Sequence, residues 1–213
     1  MPHELLVGEG AARFAREIGA ATADNLTEDS ARVWQDWYDR TLTPDQKRAW
    51  PDTDLAALCR HAIDPEKGRD TTVFLAHDGT GDIGSGTSTS GWGWKYPGRL
   101  GDSPVIGAGS YADTRHGAAA CTGAGEMTIR CGTARSVVLY MKKGATVAEA
   151  VLEAVDDMRA MRTGLIDRVT IHAIDARGDH KVVAVNGDGT QFHWLWDGTG
   201  EPRRCPVEAV ALR

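Results

Sequence analysis

Apolar residues recur at helical spacing through the first third of the chain and at strand-like spacing afterwards, with the change near residue 70. Before residue 65, "GAARFAREIGA", "TEDSARVWQDWYDR" and "TPDQKRAW" read as helices. Thr27 is placed to cap the second; Thr43 and Gln46 can close a capping box on the third, with Pro44 at its first position. "DTDLAALCRHAI" reads as a further short helix leading to the charged linker "DPEKGRD". From Thr71, "TTVFLAH", the turn "DGTG" and "DIGSGTSTS" read as a β-hairpin. The loop "GWGWKYPGRLGDSPVIGAG" follows, and small residues then fill "GAAACTGAG", as they do where backbones pack closely or approach a ligand. Two helices come next, "TARSVVLYMKKG" and "TVAEAVLEAVDDMRAMRTG". In the second, Thr146 and Glu149 form a capping box and Val147, Val151, Val155 and Met158 line one face. The tail reads as three strands, "RVTIHAID", "KVVAVN" and "QFHWLWD". Helices, strands, helices and strands in that order predict a layered α+β sandwich.

At 213 residues the chain can build one substantial core, so a single domain over 1–213 is expected. Its 24 Lys and Arg are scattered among 30 Asp and Glu without a basic stripe, which argues against nucleic acid as a partner. The opening residues carry no basic segment followed by an apolar run, and no stretch of 18 apolar residues occurs, so no membrane partner and a cytoplasmic location are expected. Cys59, Cys121, Cys131 and Cys205 are widely spaced with no C-x-x-C pair; they read as reduced, mostly buried small residues rather than as a zinc site or disulfide scaffold.

Several chemical patterns fail on context. "GTGDIG" matches G-x-G-x-x-G and follows a strand, but strand and loop follow it where a dinucleotide site needs a helix, so it reads as a hairpin turn. There is no phosphate-cradling G-x-x-x-x-G-K-[ST] loop and no G-x-S-x-G elbow. The seven histidines lack the i, i+4 pairing of a catalytic zinc helix and read as satisfied structural groups. Most of the tryptophans read as core or interface, while Trp92 and Trp94 are placed to border a pocket.

Three polar groups on small-residue segments remain. Arg99 and Asp102 lie three apart among glycines, where a guanidinium could take a carboxylate and the aspartate an ammonium. Spacing alone favours a solvent-exposed ion pair worth little. Thr122 and Gly123 offer a hydroxyl and a backbone N–H suited to an oxyanion, or equally a helix cap or tight packing. Thr71 opens a strand, as β-branched residues do. A threonine at a chain N-terminus would instead be a nucleophile carrying its own base, because an α-amino group has a pKa of roughly 7.7 to 8.0.

Taken together, "DT" at 70 and 71, "GTSTSG" at 86 to 91, "GRLGDSPVIGAGSYAD" at 98 to 113 and "CTGAGE" at 121 to 126 occur in the order found in one family. The chain resembles the glycosylasparaginase and plant-type asparaginase family of N-terminal nucleophile hydrolases. The resemblance implies a four-layer αββα sandwich and cleavage between Asp70 and Thr71, dividing the chain into a helical 1–70 segment and a nucleophile-bearing 71–213 segment. It implies Thr71 as nucleophile, Thr89 as the residue orienting it, Arg99 and Asp102 as the grip on the α-carboxylate and α-ammonium, and Thr122 with Gly123 as the oxyanion hole. Hydrolysis of an asparagine side-chain amide would need no metal and no cofactor. "GTSTSG" with "WKYPGRLGDSP" looks more like the branch acting on N4-(β-N-acetylglucosaminyl)-L-asparagine; the isoaspartyl peptidase and L-asparaginase branch is the alternative. Family members assemble as homo-oligomers of two processed heterodimers.

The chain also departs from the family pattern. Members carry an N-terminal strand and helix before the segment matching "PHELLVGEGAARFA", so the sandwich is expected to be incomplete on its N-terminal side, with an unpaired sheet edge. Arg69 stands where the family has histidine, and Thr72-Val73 where it has a hydrophobic-glycine pair. Glycine there permits close backbone approach, so Val73 is expected to lower the efficiency of self-cleavage. Two further readings are a truncated relative that does not process and acts as a binding or partner-dependent protein, and a chain whose true start lies upstream.

Overall fold

The computed structural model describes residues 2–61 and 69–213, which fall into two units by contact. The first comprises residues up to 61 together with 94–98. It holds α1 (Gly8–Glu17), α2 (Glu28–Thr41), α3 (Pro44–Arg48) and α4 (Leu55–His61). The expected caps are present: the Thr27 hydroxyl accepts from the Ser30 N–H, and Thr43 and Gln46 satisfy each other's backbone N–H groups in a capping box. Aromatic rings hold this unit together, with Trp34 stacked on Tyr38 at 5.2 Å and Trp37 on Trp94 at 4.8 Å. Residues 64–68 of the linker "DPEKGRD" lie outside the described residues.

The second unit, residues 69–93 and 99–213, carries the strands. In chain order these are β1 (Arg69–His77), β2 (Ile83–Trp92), β3 (Ser110–Asp113), β4 (Gly117–Gly123), then α5 (Gly125–Cys131), α6 (Thr133–Lys142) and α7 (Val147–Arg159), then β5 (Val169–Asp175), β6 (His180–Val185), β7 (Phe192–Leu195), β8 (Arg203–Pro206) and β9 (Glu208–Val210). They form a mixed α/β unit with three described sheets: β1-β2, β3-β4-β5-β6-β9 and β7-β8. β9 joins β6 in parallel and the other pairings between these strands are antiparallel. "DGTG" is the expected hairpin turn, closed by Asp78, whose carboxylate accepts from the Thr80 and Asp82 N–H groups.

The core lies between the five-stranded sheet and α6 and α7. Val147, Val151, Val155 and Met158 are buried as their spacing predicts, against Val169, Ile171, Ala119 and Cys121. Each such side chain contributes about 1.5 to 3 kcal/mol on burial. β4 was not legible as a strand, because alanine and glycine are depleted in strands. Ala118, Ala119 and Ala120 are nevertheless fully buried, since this strand runs between β3 and β5 with α6 on one face and β1 across the other. Short β3, β8 and β9 were also missed. The cysteines are free, but only Cys121 is buried; the other three are half-buried.

Candidate active site

Thr71 and Thr89 face each other across the β1–β2 pair. Asp70 pairs with Gly91 and Thr71 with Thr89, so the register slips by one residue at the Asp70–Thr71 bond. Such a bulge re-aims the side chains on either side of it. The Thr71 hydroxyl donates to the Thr89 hydroxyl at 3.2 Å, and that oxygen also accepts the Gly91 N–H at 2.9 Å.

Thr71 and Thr89 line a small recess together with Trp92, Arg99, Asp102 and Gly123. Five of the residues to which the resemblance assigns a role, Thr71, Thr89, Arg99, Asp102 and Gly123, therefore share one recess, bordered by Trp92 as expected. Thr122 instead lines, with Thr71, a larger cavity of about 860 Å³ that extends toward His172, His193 and Trp194.

Arg99 and Asp102 are not a solvent-exposed ion pair. The Arg99 side chain is only 15% exposed and pairs with Glu126. Nε and Nη2 donate to Oε1 at 3.0 and 2.8 Å, Nη2 donates to Oε2 at 3.0 Å, and the guanidinium lies over the Trp92 ring at 4.5 Å. Asp102 is buried, and its carboxylate accepts the Thr128 hydroxyl at 2.6 Å. Burial pushes this carboxyl above the ordinary aspartate range, with the Thr128 hydrogen bond and the nearby Arg99 charge acting the other way. The Asp102 carbonyl accepts the Val105 and Gly109 N–H groups, which fixes the loop.

Two glycines permit this close packing. At Gly123 φ is +106°, and a Cβ would stand 2.4 Å from the Arg168 carbonyl oxygen. At Gly125 a Cβ would stand 2.6 Å from Asp102 Oδ1. Thr122 and Gly123 thus end β4 just before α5, whose first turns supply Glu126 and Thr128. Both were missed: Glu126 stood inside the noticed "CTGAGE" run, and only the fold reveals what either touches.

The histidines need a correction. They were expected to be satisfied, yet both ring nitrogens of His193 are enclosed without a hydrogen-bond partner among the described residues. Its ring meets that of His180 at 5.7 Å on the cavity wall. The described residues hold no group of three or more His, Cys, Asp or Glu arranged for a metal ion, and no described helix is long and apolar enough to cross a membrane.

The profile of the Asparaginase_2 family, described as asparaginase, matches residues 1–188. The chain belongs to this asparaginase family. It is 36% identical over 200 residues to the plant-type L-asparaginase of Pyrococcus abyssi, which covers 94% of this chain and 62% of that protein. It is 36% identical over 156 residues to the N(4)-(beta-N-acetylglucosaminyl)-L-asparaginase of Mus musculus, covering 67% of this chain and 45% of that one. The namesake from Elizabethkingia miricola is 36% identical over 155 residues, 73% of this chain and 41% of its own length. This asparaginase-family chain thus spans less than two thirds of the length of these relatives.

Proposed function

We propose that the chain is an amidohydrolase of asparagine side-chain amides, with Thr71 as its nucleophile after self-cleavage between Asp70 and Thr71. The observation that carries this reading is the Thr71–Thr89 hydroxyl contact in a recess shared with Arg99 and Asp102. In self-cleavage, Thr71 Oγ1 attacks the Asp70 carbonyl carbon, the acyl group passes from nitrogen to oxygen, and water hydrolyses the ester. This leaves a carboxylate on Asp70 and a free amine on Thr71. That amine takes the Oγ1 proton as Oγ1 attacks the substrate amide. Thr122 and Gly123 stabilise the oxyanion, the nitrogen leaves as ammonia or an amine after taking the proton, and water releases aspartate from the ester. Arg99 offers positive charge to the α-carboxylate and Asp102 negative charge to the α-ammonium. Neither step calls for a metal or cofactor.

N4-(β-N-acetylglucosaminyl)-L-asparagine is the first substrate to test. The longer match to plant-type L-asparaginase, 94% of the chain against 67%, favours a second reading as an L-asparaginase or isoaspartyl peptidase. The proposed architecture is a four-layer αββα sandwich, with 1–70 and 71–213 as the segments on either side of the cleavage point, assembled as a pair of processed heterodimers.

The test is the intact mass under denaturing conditions after long incubation, followed by assays of ammonia and aspartate release. Chains of residues 1–70 and 71–213, with both activities abolished in Thr71→Ala, are expected. Turnover retained in Thr71→Ala would remove Thr71 from its role.

A further inference from the structure

We infer that Glu126 and Thr128 are positioning residues that hold the two halves of the ligand grip, leaving Arg99 only its Nη1 side for an incoming carboxylate. The inference rests on the reading of Arg99 and Asp102 given above. Glu126 takes the Nε and Nη2 edge of the guanidinium through three contacts of 2.8 to 3.0 Å, while Trp92 covers one face. Glu126 does not border the recess, whereas Gly101 does, and a Cβ on Gly101 would stand 3.0 Å from Arg99 Nη1. Nη1 is the guanidinium nitrogen without a hydrogen bond among the described residues, and it stands beside Gly101, which borders the recess. A guanidinium held on one edge and one face has lost its rotamer freedom before the ligand arrives, which lowers the entropy cost of binding.

Thr128 does the corresponding work for Asp102. Its hydroxyl donates to Oδ2 at 2.6 Å, an ionic hydrogen bond that favours the charged form of a buried carboxyl. The charged or titratable groups around Asp102 are Arg99, Glu126 and the Cys121 thiol, itself pushed up by burial and by Asp102. Both holds come from α5, two residues apart on one turn, so a single short helix sets the spacing between the carboxylate grip and the ammonium grip. The same helix begins two residues after Gly123, which ties that spacing to the oxyanion donors.

The test compares KM and kcat for L-asparagine in the processed protein and in Glu126→Ala, Glu126→Gln, Thr128→Val and Thr128→Ser. Glu126→Ala should raise KM about tenfold or more with kcat within about threefold, and Glu126→Gln, which keeps an acceptor, should recover part of the loss. Thr128→Val should move the acid-side rise of KM to higher pH, and Thr128→Ser should restore it. A lower KM in Glu126→Ala would mean that Glu126 competes with the ligand for the guanidinium, and would overturn the inference. A double-mutant cycle of Arg99→Ala and Glu126→Ala in urea unfolding reads the tether without turnover. Zero coupling there overturns it. Coupling in a protein that hydrolyses neither L-asparagine nor N4-(β-N-acetylglucosaminyl)-L-asparagine sinks the proposed reaction and leaves the tether standing.

Discussion

Thr71 and Thr89 share a hydrogen bond as the last cross-strand pair of the ladder that runs from the hairpin turn, and the register slips immediately beyond them: Asp70 pairs with Gly91 and Ser90 is the extra residue. The slip lies at the bond proposed to break. In an unbroken ladder Asp70 would face Ser90; the slip brings Gly91 opposite Asp70, and the Gly91 N–H donates to the Thr89 hydroxyl. Thr89→Val should therefore slow both appearance of the 71–213 chain and amide turnover by about 10- to 100-fold, the cost of one hydrogen bond to a reacting group. Thr89→Ser should retain most of both. A time course on denaturing gels with an ammonia assay measures this, and unaltered rates in Thr89→Val would take Thr89 out of the reaction.

Gly125→Ala is expected to damage the site from behind. The new methyl would meet Asp102 Oδ1 at 2.6 Å, so the carboxylate or the start of α5 must move. Stability should fall by about 1 to 3 kcal/mol, as for other overpacked sites, and KM for L-asparagine should rise. Urea unfolding together with steady-state kinetics reports both effects.

Asp102 sets a pH dependence. Its carboxyl is raised above the ordinary 3.8 by burial, and an ammonium ligand needs it ionised. KM should therefore rise as pH falls through a value higher than an ordinary aspartate would give, and this limb should be missing in Asp102→Asn. For stability, the folded state holds this proton more tightly than the unfolded chain. The group favours folding in acid, and that contribution fades as pH rises from 3.8 through the raised value. Unfolding of wild type and Asp102→Asn across this window should show a difference of that sign.

His172 acts in the opposite sense. Burial, with His193 nearby, holds its imidazole down to about 4 from 6.5. Between those values the unfolded chain binds a proton that the folded protein refuses, so stability climbs as pH rises through the window and drops on acidification. Replacing His172 with Gln should remove about 3 kcal/mol of that pH dependence between pH 7 and pH 4, measured by urea unfolding at each pH.

What could be read without coordinates followed from local chemistry. Capping pairs such as Thr146 with Glu149, and the Val147–Met158 stripe, announce α7 because both signals are confined to one element. β4 escaped because its residues are strand-like only by virtue of what surrounds them, and α5 because seven residues are too few to show a period. For the site, Thr71, Thr89, Arg99, Asp102 and Gly123 stood out through ordered motifs, and the fold gathers them in one recess. Glu126 and Thr128 touch partners 27 and 26 positions away, a relation no local pattern encodes.

The alanines of β4 have a further consequence. Ala119 and Cys121 point to the helices, which leaves Ala118 and Ala120 on the side crossed by β1. The methyl groups at those two positions act as a spacer whose thickness decides how near the strand bearing Thr71 comes to the strand ending in Thr122 and Gly123. Bulk at 118 or 120, in residues outside the recess, would widen the gap between the Thr71 hydroxyl and the Thr122–Gly123 segment, so side-chain volume there is a geometric tolerance of the proposed reaction.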